Sequence, residues 1–243
     1  MKKRKHISLL VLPFLLFLHA CDNNEEVAEP IVYEVSISGD EEPPPADLDE
    51  LIRKTELIVK GSFGDILSKE NMIRIGDLPD DHLYAEGHLY EFQVDEVFKG
   101  NIVGEIHPIL YYGFEVAVHD HAGKHISNVM VPSPEYKTPD PTKQYILFLR
   151  KNPIGATTYS RSSDAYMIEI DQDQSMQFIS ERMEGQLSES IVLTNPDHNR
   201  AEHVVKVREG IYVDVFESMP IINNYLEEYH DLQALEDKLR SIR

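Results

Sequence analysis

The sequence predicts a mainly β (α+β) protein, a small curled antiparallel β-barrel opened by a short N-terminal helix and closed by an amphipathic C-terminal helix. Three observations predict it. Short alternating or wholly apolar runs recur through the middle of the chain, as strands require. One run, Tyr90 to Val97, slips its apolar phase by one residue at Glu96-Val97, the signature of a β-bulge that bends a strand. The chain end from Tyr225 to Ile242 repeats Leu, Tyr and Ile mostly at steps of three and four, the spacing of one helix face.

Taken in order, the chain opens with Lys2, Lys3, Arg4 and Lys5 ahead of Ile7 to Leu18, an apolar run in which only Ser8 is polar. These are the n-region and h-region of a secretory signal. The run is shorter than the roughly 20 apolar residues of a membrane-spanning helix. The tetrapeptide that follows, Leu18-His19-Ala20-Cys21, resembles the lipobox of bacterial lipoproteins, departing from it in His19. That resemblance implies cleavage before Cys21, a diacylglyceryl group on its thiol with further acylation (palmitate), and attachment to the cell membrane on the extracytoplasmic face. Cys21 is the single Cys of the chain, which excludes an internal disulfide and any Cys-based zinc or catalytic site in the folded part.

With 23 Lys plus Arg against 43 Asp plus Glu the whole chain carries −20; losing residues 1–20 removes four cations and no acids and leaves −24. Nucleic acid is a poor partner for such a chain, because phosphate binding depends on cations. Eleven of the acids fall between Asp22 and Ile52, where there is no Lys or Arg, and Pro43-Pro44-Pro45 lies among them. Residues 21–45 therefore read as a self-repelling tether, with Ile31 to Ile37 alternating as a short strand would.

Asp47 precedes Leu48, Leu51 and Ile52 at helical spacing and is the expected N-cap of the opening helix. Leu57, Val59, Gly61 and Phe63 alternate as a strand, with Gly61 at a bend or close approach. Tyr90 to Val97, the turn Lys99-Gly100-Asn101 and Ile102 to Tyr112 form the next strand pair. Residues 113–141 read as a long irregular segment. Tyr145 to Leu149, apolar on both faces, is the expected central strand. Two hairpins follow, Tyr166–Ile170 with Met176–Ile179 and Val204–Val207 with Ile211–Val215. The domain boundaries expected are 1–20 leader, 21–45 tether, 46–220 barrel and 221–243 terminal helix.

The segments Glu56 to Gly61, Tyr90 to Gly100 and Lys143 to Leu149 resemble a pattern in exported bacterial proteins of unassigned role and in netrin-like, metalloproteinase-inhibitor-like domains. The resemblance covers about half of the exported chain and implies an oligonucleotide/oligosaccharide-binding (OB-like) barrel. Those inhibitors depend on an N-terminal Cys held by disulfides, and this chain has no second Cys, so inhibition does not carry over with the fold.

The candidate chemistry is sparse. His119, Asp120, His121 and His125 supply three imidazoles and a carboxylate, a set that zinc accepts, with His119 and His121 expected on one strand face and His125 returning across a turn. Solvated loop histidines give the same pattern, and the spacing matches no zinc signature. Asp171-Gln172-Asp173 opens like a calcium loop but has Met176 and Arg182 where that loop needs Gly and Glu. Ser160, Ser162 and Ser163 lie near Arg161 and Asp164 without a nucleophile-elbow or phosphate-loop motif. Tyr111, Tyr112 and Phe114 form a candidate aromatic binding surface. The expectation is thus a lipid-anchored, non-enzymatic binding module without a cofactor, engaging an envelope protein or peptide; the alternative is a metal-binding or metal-dependent hydrolytic lipoprotein using the histidines.

Overall fold

The computed structural model describes residues 31–37, 45–120, 122–133, 136–163, 166–179, 200–208, 211–218, 225–229 and 231–242. Cys21, with the leader and most of the acidic segment, lies outside the described residues. The protein is mainly β. Its elements are β1 (Ile31–Ile37), α1 (Leu48–Lys54), β2 (Leu57–Asn71), β3 (Arg74–Ile75), β4 (Leu78–Pro79), β5 (Ala85–Lys99), β6 (His107–His119), β7 (His125–Pro132), β8 (Gln144–Lys151), β9 (Thr158–Arg161), β10 (Met167–Ile170), β11 (Met176–Phe178), β12 (Arg200–Arg208), β13 (Ile211–Ser218) and α2 (Leu232–Arg240).

The main sheet runs β11-β10-β8-β2-β5-β6-β7, and β9 bridges β6 to β8. The pairings β2–β5–β6–β9–β8 therefore return to β2 and close a five-stranded ring. The ring is mixed rather than wholly antiparallel, because β9 lies parallel to β6 and antiparallel to β8. A separate sheet sets β13 between β1, parallel, and β12, antiparallel. Ile31–Ile37, placed by sequence within the tether, is thus a paired strand.

Strand β5 bends as its phase slip requires. Ile58 pairs with Lys99 and Val59 with Val97, leaving Phe98 as an extra residue; Lys60 pairs with Glu96 and Gly61 with Val94, leaving Asp95 as another. These bulges flank Glu96-Val97. Gly61 sits where β5 crowds β2: a Cβ there would stand 2.0 Å from the Gln93 carbonyl oxygen. Around this bend Phe63 makes edge contacts with Tyr90, Phe92 and Tyr145 at centroid distances of 5.4, 5.0 and 5.0 Å. Strand β8 is buried from Tyr145 to Leu149, as its unbroken apolar run demands.

Asp47 caps α1, its Oδ1 accepting from the Glu50 amide at 2.8 Å. At the other end, Lys99 Nζ donates to the Ile52 and Thr55 carbonyls at 2.7 and 2.6 Å, satisfying helix-end acceptors. The terminal helix is shorter than its periodicity suggests. Tyr225–Glu228 forms a 3-10 turn, and Asp231 caps a fresh start by accepting from the Ala234 amide at 2.8 Å. The helix α2 buries Leu235 and Leu239 and is clamped to the sheet by ion pairs: Lys60 to Glu236 at 2.7 Å, and the Arg240 fork to Glu96 at 3.0 Å on both oxygens.

Segment 113–141 is largely regular, contrary to the sequence reading. β6 and β7 form an antiparallel hairpin from Gly113↔Pro132 to His119↔His125. Glu115, Ala117 and His119 face solvent and alternate with Val116 and Val118, but the register shift at Tyr112 breaks the phase of the strand as a whole.

Candidate functional site

The hairpin tip decides the fate of the histidine set. Asp120 Oδ1 accepts from the Ala122 and Lys124 amides, both at 2.9 Å, so the carboxylate builds the turn. Gly123, with φ +78, supplies the left-handed residue that the turn needs. His119 and His125 face each other across the strands with ring centroids 5.5 Å apart, and His125 Nε2 lies 2.6 Å from Asn128 Oδ1. His121 lies outside the described residues. Among the described residues no three His, Cys, Asp or Glu side chains are placed to hold a metal ion, so His119, Asp120 and His125 do not make such a group.

The three aromatics separate. Glu86 pairs with Gly113 and Gly87 with Tyr111, so Tyr112 is a bulge residue. The bulge reverses the phase of β6 and brings Tyr111 and Phe114 to one cavity while sending Tyr112 elsewhere. The Tyr112 ring instead stacks on His88 at 4.6 Å and 15°.

Two cavities stand out. One of about 730 Å³ lies between β2, β5 and residues 102–107, bordered by exposed groups such as Glu91, Gln93 and Glu105. The other, about 580 Å³, lies between the loop joining β2 to β5, strands β5 and β6, and the ends of β8 and β9. Its size is that of a site for a small organic ligand. Part of its lining is apolar, Met72, Ile73, Leu83, Ile109 and Phe114, and part is polar, Arg150, Asn152, Ser160, Arg161 and Tyr166. Asn152, Ser160 and Tyr166 are 8%, 8% and 7% exposed. The Ser160 and Tyr166 hydroxyls have no hydrogen-bond partner among the described residues, and Asn152 uses only its Oδ1, to the Ile154 amide at 2.9 Å. Burial pushes the Tyr166 hydroxyl pKa up, against the opposing charge of Arg161, and keeps it a proton donor.

A buried polar network adjoins this cavity through Tyr84, which lines it and places its hydroxyl 3.2 Å from Glu86 Oε2. Glu86 Oε1 accepts from Lys69 Nζ at 2.7 Å and lies 2.7 Å from His88 Nε2. An ionised carboxylate only accepts, so Nε2 carries the proton there. The other ring nitrogen, Nδ1, is 2.8 Å from the Tyr136 hydroxyl, which is 2.9 Å from that of Tyr90. Burial alone would raise the Glu86 pKa; the hydrogen bonds from Lys69 and His88 outweigh it and hold the carboxyl below its ordinary value. Burial, the Tyr136 hydrogen bond and nearby phenols push Tyr90 strongly upward.

Sequence reasoning passed over this network and the polar cavity wall. The available signal was Glu86, His88 and Tyr90 at spacing two, a polar line running into the strand expected from Tyr90; nothing local announces Tyr136 or Lys69 as partners. The chain matches no protein-family model, no curated protein and no solved structure.

Proposed function

We propose that the protein is a non-enzymatic binding module, held on the extracytoplasmic face of the cell membrane by lipid on Cys21, with an OB-type barrel that takes its ligand in the 580 Å³ cavity. The ring order supports the barrel assignment. Counted as first to fifth, β2, β5, β6, β8 and β9 pair in the order first, second, third, fifth, fourth and back to first, with the third and fifth parallel. OB barrels bind on the face of their second and third strands, flanked by the loops joining first to second and fourth to fifth. The cavity occupies that position.

The observation carrying the reading is a preformed cavity whose lining holds Asn152, Ser160 and Tyr166, side chains with donor atoms that no protein atom engages among the described residues. Those atoms keep contact with the water of the cavity, and donors grouped in one cavity are open to an incoming acceptor. An envelope protein or peptide presenting one small group is the expected partner class, and the tether would let the module search near the membrane.

Two measurements test this. Intact mass of the membrane-extracted protein is expected to show a chain starting at Cys21 with added lipid; any other start, or no lipid mass, refutes the anchor. Leu83 is 58% exposed at the cavity rim, so Leu83→Glu leaves the core alone while placing a charge in the apolar wall. Saturation-transfer NMR of the full chain with envelope extract is expected to show contacts that this variant loses. Contacts that survive unchanged refute the cavity.

A further inference from the structure

We propose that the ligand of this cavity is an apolar molecule ending in a single carboxylate, bound by Arg150, Ser160, Asn152 and Tyr166 at its anionic end. The inference rests on the cavity reading above and adds the chemistry of the ligand. The polar wall offers the Ser160 and Tyr166 hydroxyls and the Asn152 amide nitrogen, all on side chains more than nine-tenths buried and none donating to the protein among the described residues. Arg150, exposed at the rim, has no ion-pair or hydrogen-bond partner among the described residues, whereas Arg161 already has an interaction of its own and its charge bears on Tyr166. Four free donor groups facing one space specify an acceptor.

Charge points the same way. In a chain of net −20, this cavity gathers two arginines against one acid, Glu115, which is exposed on the rim and screened by water. A local positive site within an acidic surface concentrates small anions. One guanidinium is uncommitted, which matches one negative charge; a second charge could be met only by Arg161 giving up the contact it already makes. The side chains of Met72, Ile73, Leu83, Ile109 and Phe114 in the same lining have no donor to offer and suit an alkyl or aromatic body.

The test is calorimetry on the full chain in lipid nanodiscs with five probes: octanoate, N-acetylphenylalanine, their neutral amides octanamide and N-acetylphenylalaninamide, and octyl phosphate. At least one acid is expected to bind about tenfold or more tightly than its own amide, the scale of a charge-assisted hydrogen bond made or lost. Which acid prefers the cavity separates an acyl chain from a peptide end as its source. Arg150→Gln is expected to erase the preference for acid over amide, and Tyr166→Phe and Ser160→Ala to weaken the acid several-fold and the amide, whose carbonyl is only a neutral acceptor, by less. Acid and amide binding equally, or a preference that survives Arg150→Gln, overturns the carboxylate assignment while leaving the cavity as a binding site. Octyl phosphate binding more tightly than octanoate also overturns it. No binding by any probe overturns both the assignment and the cavity reading.

Discussion

Replacing Glu86 by Gln separates the charge of the buried network from its shape. Gln keeps an oxygen for the His88 Nε2 proton, now 2.7 Å away, but that oxygen is neutral. A hydrogen bond to a charged acceptor contributes about 1.5–3 kcal/mol and one between neutral groups about 0.5–1.5 kcal/mol, so the His88 contact should lose about 1–2 kcal/mol. Lys69 adds little, because its side chain is 58% exposed and turns to water when the carboxylate is gone. The Tyr84 contact, already 3.2 Å, is the weakest of the three. Urea unfolding of the full chain at neutral pH should therefore show a loss of about 1–2 kcal/mol for Glu86→Gln. The pH dependence fixes the cause. The folded pKa of Glu86 lies below the ordinary 4.5, so its contribution is complete above that value and disappears as pH falls through the folded one. Wild type and variant should converge on acidification below 4.5. A difference that is absent at neutral pH, or that stays constant through the acid range, refutes the charged network.

Gly61→Ala forces a Cβ to within 2.0 Å of the Gln93 carbonyl, and it should destabilise the chain by at least about 1–3 kcal/mol in urea, as overpacking against backbone does; full wild-type stability would remove the close approach as the reason for glycine. Leu235 is fully buried on the inner face of α2, and Leu235→Ala should cost about 2–5 kcal/mol, whereas a loss below about 1 kcal/mol would mean that the helix does not seal the core. On the binding-module reading, zinc calorimetry at neutral pH should show no stoichiometric heat that a His119→Ala, His121→Ala double variant removes; a site abolished by that pair would favour the metal-binding alternative.

Legibility in the sequence followed the range of the interaction responsible. The α1 cap, the both-faces-buried β8 and the two late hairpins were readable because each depends on a few adjacent residues: Asp47 with Glu50, the run Tyr145 to Leu149, the turns themselves. The phase slip in β5 was readable for the same reason. The hairpin β6–β7 is not evident in the sequence because a bulge at Tyr112 shifts the phase within β6, so that the alternation of Glu115 to His119 does not continue that of Ile109 to Tyr111. The length of the terminal helix was overestimated because apolar spacing continues through Tyr225–Glu228 while Asp231 restarts the backbone.

The amino-acid order by itself determined local preference and charge: a mainly β chain, a basic and then apolar stretch ahead of a lone Cys21, an acidic stretch behind it, and strands with their bends. Only tertiary structure decided what those strands bring together. Closure of the ring through β9 brings Met72, Leu83, Ile109, Phe114, Arg150 and Tyr166 around one cavity, and β5 meets Tyr136 and Lys69 in one buried network. Side chains so far apart in sequence leave no periodic trace, because period reports which face a residue occupies and never which distant residue will face it.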